Sequence, residues 1–351
     1  MVNRKDRILF FASGDFAYDT LANLITNEYN VVGLVTTNYT PHFKLNTLEE
    51  LARTANIDVF HVKPNIDMET DEWFLNWLNR HQADIFCVIS FKKLPSNIYN
   101  MAKKCAFNVH ASLLPLLRGA APINWAVRLG YDVSGLTAFV LDEKIDTGKI
   151  IANTPVKLSK KETFTNLFNK MANECVDFSA NVIDNFLTDP NWKDKLISQP
   201  IPSDVFDYLA PAPKITRDYF NAHWTRFTAK DAINAINSVD DTGWSTNIVI
   251  LDLAKPDEKL KVLEVKIWEA EAGEHNDIES MGFGEVHSDG KTYIRVDLVG
   301  NECIFIKKLQ LVGKKPMDVE SFLNGFRYLN GDNKYKVTFA PIGFYDDEQD
   351  S

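Results

Sequence analysis

The chain has 351 residues, a formal net charge of −10, 45% hydrophobic residues and 25% charged residues. These fractions are typical of globular proteins and exclude a disordered or a fibrous chain. The length favours two domains, and the acidic balance argues against a nonspecific nucleic-acid binder, whose charge is normally positive.

The first half of the sequence alternates short apolar runs with segments of helical spacing. The apolar runs have strand length and lie at residues 7–13, 30–36, 58–62, 83–90, 107–110 and 135–142. This alternation predicts βαβ units, in which helices connect parallel strands. Residues 163–187 predict one long amphipathic helix that closes the domain. We therefore expect an α/β fold with a Rossmann-like, mostly parallel sheet domain over residues 1–188.

The pattern changes after this domain. Residues 189–216 are rich in proline and lack periodicity, which predicts an interdomain linker. A short helix near residues 229–236 is followed by short apolar runs that alternate with turn residues. Such runs are typical of hairpins, so we expect a small OB-like β-barrel domain over residues 217–345.

Three polar residues follow two of the predicted strands. Asn108 and His110 lie two residues apart, so their side chains share one face of a strand. His110 ends that strand, at the sheet edge where open α/β folds bind their ligands. Asp146 follows the next long strand, and in contact with His110 it would fix the imidazole's orientation. The Asn108 amide would then donate a hydrogen bond to an oxyanion.

Each of these residues also has an ordinary interpretation, because a single histidine is usually structural and Asp-Thr-Gly is commonly a turn. The surrounding motifs decide between the two interpretations. Residues 112–115 read Ser-Leu-Leu-Pro, Arg118-Gly119 follows, and Asp146 begins an Asp-Thr-Gly sequence. Together with Asn-x-His, these motifs resemble the family of formyltransferases that use 10-formyltetrahydrofolate.

The resemblance implies roles for particular residues. It implies that Asn108, His110 and Asp146 form the catalytic set, and that 10-formyltetrahydrofolate is the formyl donor. It also implies folate contacts from the Ser-Leu-Leu-Pro loop, the preceding strand and a pocket-closing loop, at Ser112, Leu113, Leu114, Pro115, Ile89, Phe91 and Asp142. No cluster of ligating residues indicates a metal.

Three further stretches indicate the branch of the family. Residues 119–126 are similar to the members that formylate methionyl-initiator-tRNA. Residues 210–215 resemble the linker of those enzymes, and residues 308–317 with 322–327 resemble the end of their C-terminal domain. The resemblance therefore implies methionyl-initiator-tRNA as the partner and the formyl acceptor.

Two turns depart from the pattern of the tRNA enzymes. Residues 12–16 read Ala-Ser-Gly-Asp-Phe, without the usual proline. Residues 37–46 form a shorter loop than the Pro-x-Gly-Arg-Gly loop of those enzymes and contain a single cation, Lys44. Phosphate contacts need lysine or arginine, so the expected grip on tRNA is largely missing there.

Other basic residues lie near the C-terminus, at Lys307, Lys308, Lys314, Lys315, Arg327, Lys334 and Lys336. They form either a surface that binds an RNA backbone or a solvated charged face.

Three functions remain open at this point. The first is formylation of methionyl-initiator-tRNA, and the second is formylation of an amino-sugar nucleotide or another small amine. The third is a folate-binding protein that has lost the reaction, which the intact Asn108, His110 and Asp146 argue against.

The remaining expectations concern location and assembly. Four cysteines without CxxC spacing fit a reducing compartment, so we expect a cytoplasmic protein. The N-terminus has no signal-peptide pattern. No apolar run reaches the length of a transmembrane helix, so we expect no membrane contact. We expect a monomer.

Overall fold

The computed structural model describes most of the chain, namely residues 4–37, 47–199, 211–220, 224–255, 259–274, 284–329 and 334–341. Two compact units divide it. The first comprises Met1–Pro122, Asp132–Leu158 and Asn166–Pro213, and the second comprises Ile123–Tyr131, Ser159–Thr165 and Lys214–Ser351. The predicted boundaries at 188 and 216 remain a prediction.

The first unit contains a seven-stranded sheet. Its strands are β1 (Ile8–Ala12), β2 (Val31–Thr36), β3 (Asp58–His61), β4 (Ile85–Ile89), β5 (Cys105–His110), β6 (Val133–Val140) and β7 (Ile150–Lys157), in the order β3-β2-β1-β4-β5-β6-β7. The first five strands in this order pair in parallel, whereas β6 is antiparallel to both β5 and β7. The predicted Rossmann-like, mostly parallel sheet is therefore confirmed.

Short helices connect these strands, and a longer helix follows β7. They are α1 (Tyr18–Thr26), α2 (Thr47–Thr54), α3 (Glu72–His81), α4 (Ser96–Tyr99), α5 (Pro122–Arg128) and α6 (Phe164–Asn181). The predicted long helix at 163–187 changes form, because α6 ends at Asn181 and a π-helical turn, Val182–Phe186, follows it. Within the described residues, no helix is both long enough and apolar enough to cross a membrane.

The strand order reverses between β1 and β4, and this reversal positions the site. Successive strands run outward from β1 on one side and from β4 on the other. Ligands of open α/β sheets bind outside the carboxyl ends of the strands at such a switch point. Gly14 turns the chain sharply after β1 with a φ of 75°, and the amide of Ser13 donates to the carbonyl of Ser90, just after β4.

The second unit contains an antiparallel sheet that nearly closes on itself. Its strands are β8 (Trp244–Asp252), β9 (Lys259–Glu274), β10 (Val286–Ser288), β11 (Ile294–Asp297), β12 (Glu302–Leu311), β13 (Met317–Asp318) and β14 (Tyr335–Ala340), with helices α7 (Ala229–Asn237) and α8 (Val319–Gly325). The main path runs β10-β11-β12-β9-β8-β14. A bridge between Glu285 and Thr338 joins its two ends around buried Trp224 and Trp244. The predicted β-barrel is confirmed.

Candidate active site

Asn108 and His110 lie on β5, which is flanked by β4 and β6. Asn108 pairs with Val88 on one side and Phe139 on the other. Because side chains alternate along a strand, Asn108 and His110 face the same side of the sheet. His110 is the last residue of β5 and is buried, whereas Asn108 is half-buried. The strand thus presents an amide and an imidazole at one edge.

The His110 imidazole has a contact at each ring nitrogen. Its Nε2 lies 2.9 Å from the carbonyl oxygen of Leu117, and its Nδ1 lies 3.7 Å from Oδ2 of Asp146. A carbonyl only accepts hydrogen bonds, so Nε2 carries the hydrogen and donates it. In the neutral ring, Nδ1 therefore has its lone pair toward Asp146, and the protonated ring would direct an N–H toward that carboxylate.

The loop that carries Asp146 has a fixed backbone shape. Asp146 has a φ of 55°, a left-handed conformation that is uncommon for residues other than glycine. Its Oδ2 accepts a hydrogen bond from the Gly119 amide at 2.9 Å, while the Thr147 hydroxyl donates to the Asp142 carboxylate at 2.8 Å. A Cβ on Gly148 would lie 1.7 Å from the carbonyl oxygen of Val140, so only glycine fits there.

The Ser-Leu-Leu-Pro loop is organised by hydrogen bonds to its own backbone. The buried Ser112 hydroxyl donates to the carbonyl of Leu116 at 2.6 Å. The Thr137 hydroxyl, next to His110 in the sheet, donates to the Ser112 carbonyl and accepts from the Leu114 amide. The Leu114–Pro115 peptide bond is cis. Ser112 and Thr137 therefore shape the loop, and Leu113 and Pro115 remain half-buried.

The other predicted folate contacts surround the same edge. Ile89 is buried at the end of β4, and Ser90 follows with a φ of 49°. Phe91 is half-buried, with its ring centroid 5.7 Å from that of Phe11. Asp142 follows β6 by two residues. The predicted site residues thus lie around the ends of β4, β5 and β6, and their roles remain a proposal.

The sequence matches a known family through both halves of the chain. Residues 6–183 match the formyl transferase family, and residues 214–327 match the formyl transferase C-terminal domain. The chain belongs to the formyltransferase family. The resemblance stated from the sequence motifs is confirmed.

The relatives and the solved structures agree with this assignment. The methionyl-tRNA formyltransferase of Parabacteroides distasonis is 32% identical over 92% of this chain and 96% of its own length. The enzyme of the same name from Bacteroides thetaiotaomicron is 31% identical over 93% and 97%. The fold is similar to that of WlaRD, a sugar 3N-formyl transferase, with a TM-score of 0.58 at 14% identity over 88% of this chain and 99% of that chain.

Two further residues of this formyltransferase shape the site without having been predicted. Gly119 has a φ of 128°, and a Cβ there would lie 2.4 Å from the carbonyl oxygen of Ala212. Ala212 is buried, its amide donates to the Arg118 carbonyl, and its carbonyl accepts from the Ala121 amide. Ala212, in the predicted linker, therefore packs against the loop whose Gly119 amide donates to Asp146.

Gln199 is the second residue that sequence reasoning missed. It lies in the predicted linker but is only 7% exposed. Its Oε1 accepts two hydrogen bonds from Arg118, and its Nε2 donates to the carbonyls of Asp146 and Gly148. Burial lowers the pKa of Arg118, against the attraction of Asp146 and Asp142, which raises it. A glutamine in a proline-rich segment gives no local signal of such long-range contacts.

No metal centre accompanies these residues. Throughout the ranges that the structure describes, there is no group of three or more histidine, cysteine, aspartate or glutamate residues that could hold a metal ion.

Proposed function

We propose that this chain transfers the formyl group of 10-formyltetrahydrofolate to the amino group of methionyl-initiator-tRNA. The observation that carries the proposal is the extent of similarity to methionyl-tRNA formyltransferases, which reaches 329 aligned residues and spans both units. The similarity to the sugar enzyme indicates a shared fold alone, and not a shared acceptor, because the sequence identity is only 14%.

The residues at the sheet edge suit a folate. A pterin is flat, with apolar faces and a polar rim, so it needs apolar side chains beside exposed backbone groups. Phe91 and Leu113 are half-buried. Ser90, whose backbone is left-handed, follows the end of β4 and immediately precedes Phe91. When bound, the donor supplies the formyl group that is transferred.

The chain's own residues can then promote the transfer. The Asn108 amide donates a hydrogen bond to the formyl oxygen as negative charge develops on it. The attacking amine forms a bond to the formyl carbon and loses a proton, while the bond from that carbon to N10 of the folate breaks. Asp146 and His110 form a pair that can accept this proton and pass it to the leaving N10. Binding both substrates at one edge also replaces a bimolecular encounter, which supplies much of the rate.

A direct test compares acceptors. Purified protein is incubated with 10-formyltetrahydrofolate and either methionyl-initiator-tRNA or a panel of amino-sugar nucleotides, and formylated product is quantified. We expect formyl-methionyl-tRNA and no formylated sugar. Asp146→Asn, which we expect to be at least about 100-fold slower, serves as the control that excludes a contaminating enzyme. Product from the sugars alone would contradict the proposal and favour the small-amine function.

Location, assembly and boundaries are part of the same proposal. Because formylation of an initiator tRNA serves translation, we place the protein in the cytoplasm. We further propose that it is a monomer. We also retain domains at residues 1–188 and 217–345 with a linker between them.

A further inference from the structure

Gln199 is placed by the main chain next to the start of β7. Ile197 and Ile150 exchange both backbone hydrogen bonds, at 2.8 Å and 3.0 Å. This bridge aligns the segment that contains Gln199 antiparallel to β7, close to Gly148. The main chain therefore places Gln199 beside the Asp146 loop, where the residue is buried.

The donor half of Gln199 contacts the Asp146 loop. Its Nε2 donates to the carbonyl oxygen of Asp146 at 3.0 Å and to that of Gly148 at 2.8 Å. These two carbonyls belong to Asp146 itself, whose backbone is left-handed, and to the residue two positions after it. A left-handed residue other than glycine costs about 1 kcal/mol or more and persists only where its surroundings impose it. Gln199 supplies two of the contacts that impose it.

The acceptor half of Gln199 contacts the other loop of the site. Its Oε1 accepts from Arg118 Nε at 3.2 Å and from Arg118 Nη2 at 2.5 Å. The residues on either side of Arg118 hold the candidate catalytic pair, because the Leu117 carbonyl accepts from His110 and the Gly119 amide donates to Asp146. One buried carboxamide thus joins the two loops that fix both members of the pair.

We propose that Gln199 is a positioning residue that sets the approach of the Asp146 carboxylate to His110. The proposal rests on the proposed function, since it assigns Gln199 a part in the same reaction. Without the carboxamide, the two loops lose their shared partner and the carboxylate can move away from the imidazole. The loss falls on the chemical step, while the surfaces that bind the substrates remain.

The test uses two substitutions of Gln199 in the full chain. Gln199→Leu keeps the approximate volume and removes both halves of the carboxamide, whereas Gln199→Glu keeps the acceptor for Arg118 and removes the donor. Because small displacements of reacting groups cost up to about 100-fold, we expect each variant to lower kcat by about 10-fold to 100-fold. We expect KM for the formyl donor and for the tRNA to change by less than about threefold.

Tyr29→Phe is the matched control. The Tyr29 hydroxyl donates to Asp184 at 2.7 Å. Tyr29 precedes the amino end of β2, whereas the candidate site lies at the carboxyl ends of β4 and β5. Loss of the hydroxyl also removes a hydrogen bond from the first unit. The control should keep its kcat, and its melting temperature is measured beside those of the Gln199 variants. An equal fall of kcat in Tyr29→Phe would overturn the proposal, because general destabilisation would then explain the effect.

A double-mutant cycle with Asp146→Asn separates positioning from a structural role. If Gln199 acts through Asp146, then Gln199→Leu should lower the residual kcat of Asp146→Asn by less than about threefold. Equal fold losses in both backgrounds, or an unchanged kcat in Gln199→Leu, would overturn the proposal. If Gln199→Leu fails to fold, Gln199→Glu replaces it in the cycle.

The wild-type reaction is measured first, with the full acceptor panel. Failure to formylate methionyl-tRNA is then a separate result that concerns the proposed function. In that case the cycle is run with the amine that the panel identifies.

Discussion

The candidate active site of the first unit and the lysine-bearing strands of the barrel use polar groups in opposite ways. At the candidate active site, His110 and Gln199 are buried and contact partners far away in the sequence, His110 with Asp146 and Gln199 with Arg118. On the barrel, three of the C-terminal lysines have solvent-accessible side chains and contact acidic residues of neighbouring segments. Lys307 pairs with Glu271 at 3.0 Å, Lys308 with Glu269 at 3.5 Å, and Lys336 with Glu285 at 3.2 Å.

This difference changes how the C-terminal lysines are interpreted. Seven basic residues in a short stretch predicted either an RNA-binding surface or a solvated charged face. Exposed ion pairs contribute at most about 1 kcal/mol, so these pairs can open, but each lysine that turns to a phosphate leaves a glutamate nearby. Positive charge counted along the sequence therefore overstates the positive potential of this sheet.

The largest expected effect comes from the candidate active site. We expect His110→Ala and Asp146→Asn each to lower kcat by about 100-fold or more, because acid–base and electrostatic contributions to the reaction are lost. Single-turnover formylation of methionyl-tRNA with excess enzyme measures the effect. Turnover close to that of the wild type in either variant would remove that residue from the catalytic set.

Gly119→Ala tests whether the loop around Asp146 depends on close packing. With a φ of 128° and a Cβ position 2.4 Å from the Ala212 carbonyl oxygen, alanine must displace the backbone. We expect a loss of about 1–3 kcal/mol in the free energy of unfolding, together with a lower kcat. Gly325→Ala is the matched control, because nothing lies within 4 Å of its Cβ position. Equal unfolding midpoints in urea for both variants would contradict the packing argument.

The sequence predicted those parts of the fold that local patterns encode. Strands such as β1 and β4 are uniformly apolar and buried, so they were predicted within one or two residues. Strand β7 was not predicted, because it alternates polar residues and contains Pro155, which an edge strand tolerates. The π-helical turn after α6 was also missed, because helical spacing continues through it.

The candidate site divides in the same way. Asn108, His110 and Asp146 were predicted as site residues because they stand within motifs that resemble a known family, and their roles stay a prediction. The contacts of Gln199 and the packing of Ala212 on Gly119 were not found, since each depends on a distant segment that carries no motif. Residues 38–46, where the sequence lacks the expected cations, lie outside the described residues, and that prediction stays a prediction.

The RNA-binding interpretation of the barrel lysines can be tested by replacing glutamates as well as lysines. If the sheet contacts the tRNA backbone, Glu269→Gln with Glu271→Gln frees Lys308 and Lys307 and should strengthen tRNA binding several-fold. Lys314→Ala with Lys315→Ala should weaken it and lower the slope of log affinity against log salt by roughly one unit per lost phosphate contact. Filter binding across a salt series measures both. Unchanged affinity in both double variants would show that this sheet is a solvated face.

The smallest expected effect concerns a buried carboxylate away from the site, which can be compared with the exposed pairs of the barrel. The Glu49 side chain is 8% exposed and contacts Arg53 at 2.7 Å and His61 at 3.0 Å, whereas Glu271 is 62% exposed. Burial alone would raise the pKa of Glu49, but the hydrogen bonds from Arg53 and His61 lower it below its ordinary value. Because its pKa is lowered in the folded state, the ionised Glu49 stabilises the fold at pH values above its unfolded-state pKa. This stabilisation is lost as the pH falls through the folded-state pKa.

Glu49→Gln should therefore lower the free energy of unfolding by about 1 kcal/mol near neutral pH and by progressively less in acid, as urea unfolding at both conditions would measure. Glu271→Gln is the control and should change the free energy of unfolding by less than about 0.5 kcal/mol at either pH. A loss of stability in Glu49→Gln that does not depend on pH would show that side-chain packing, and not the charge of Glu49, stabilises the fold there.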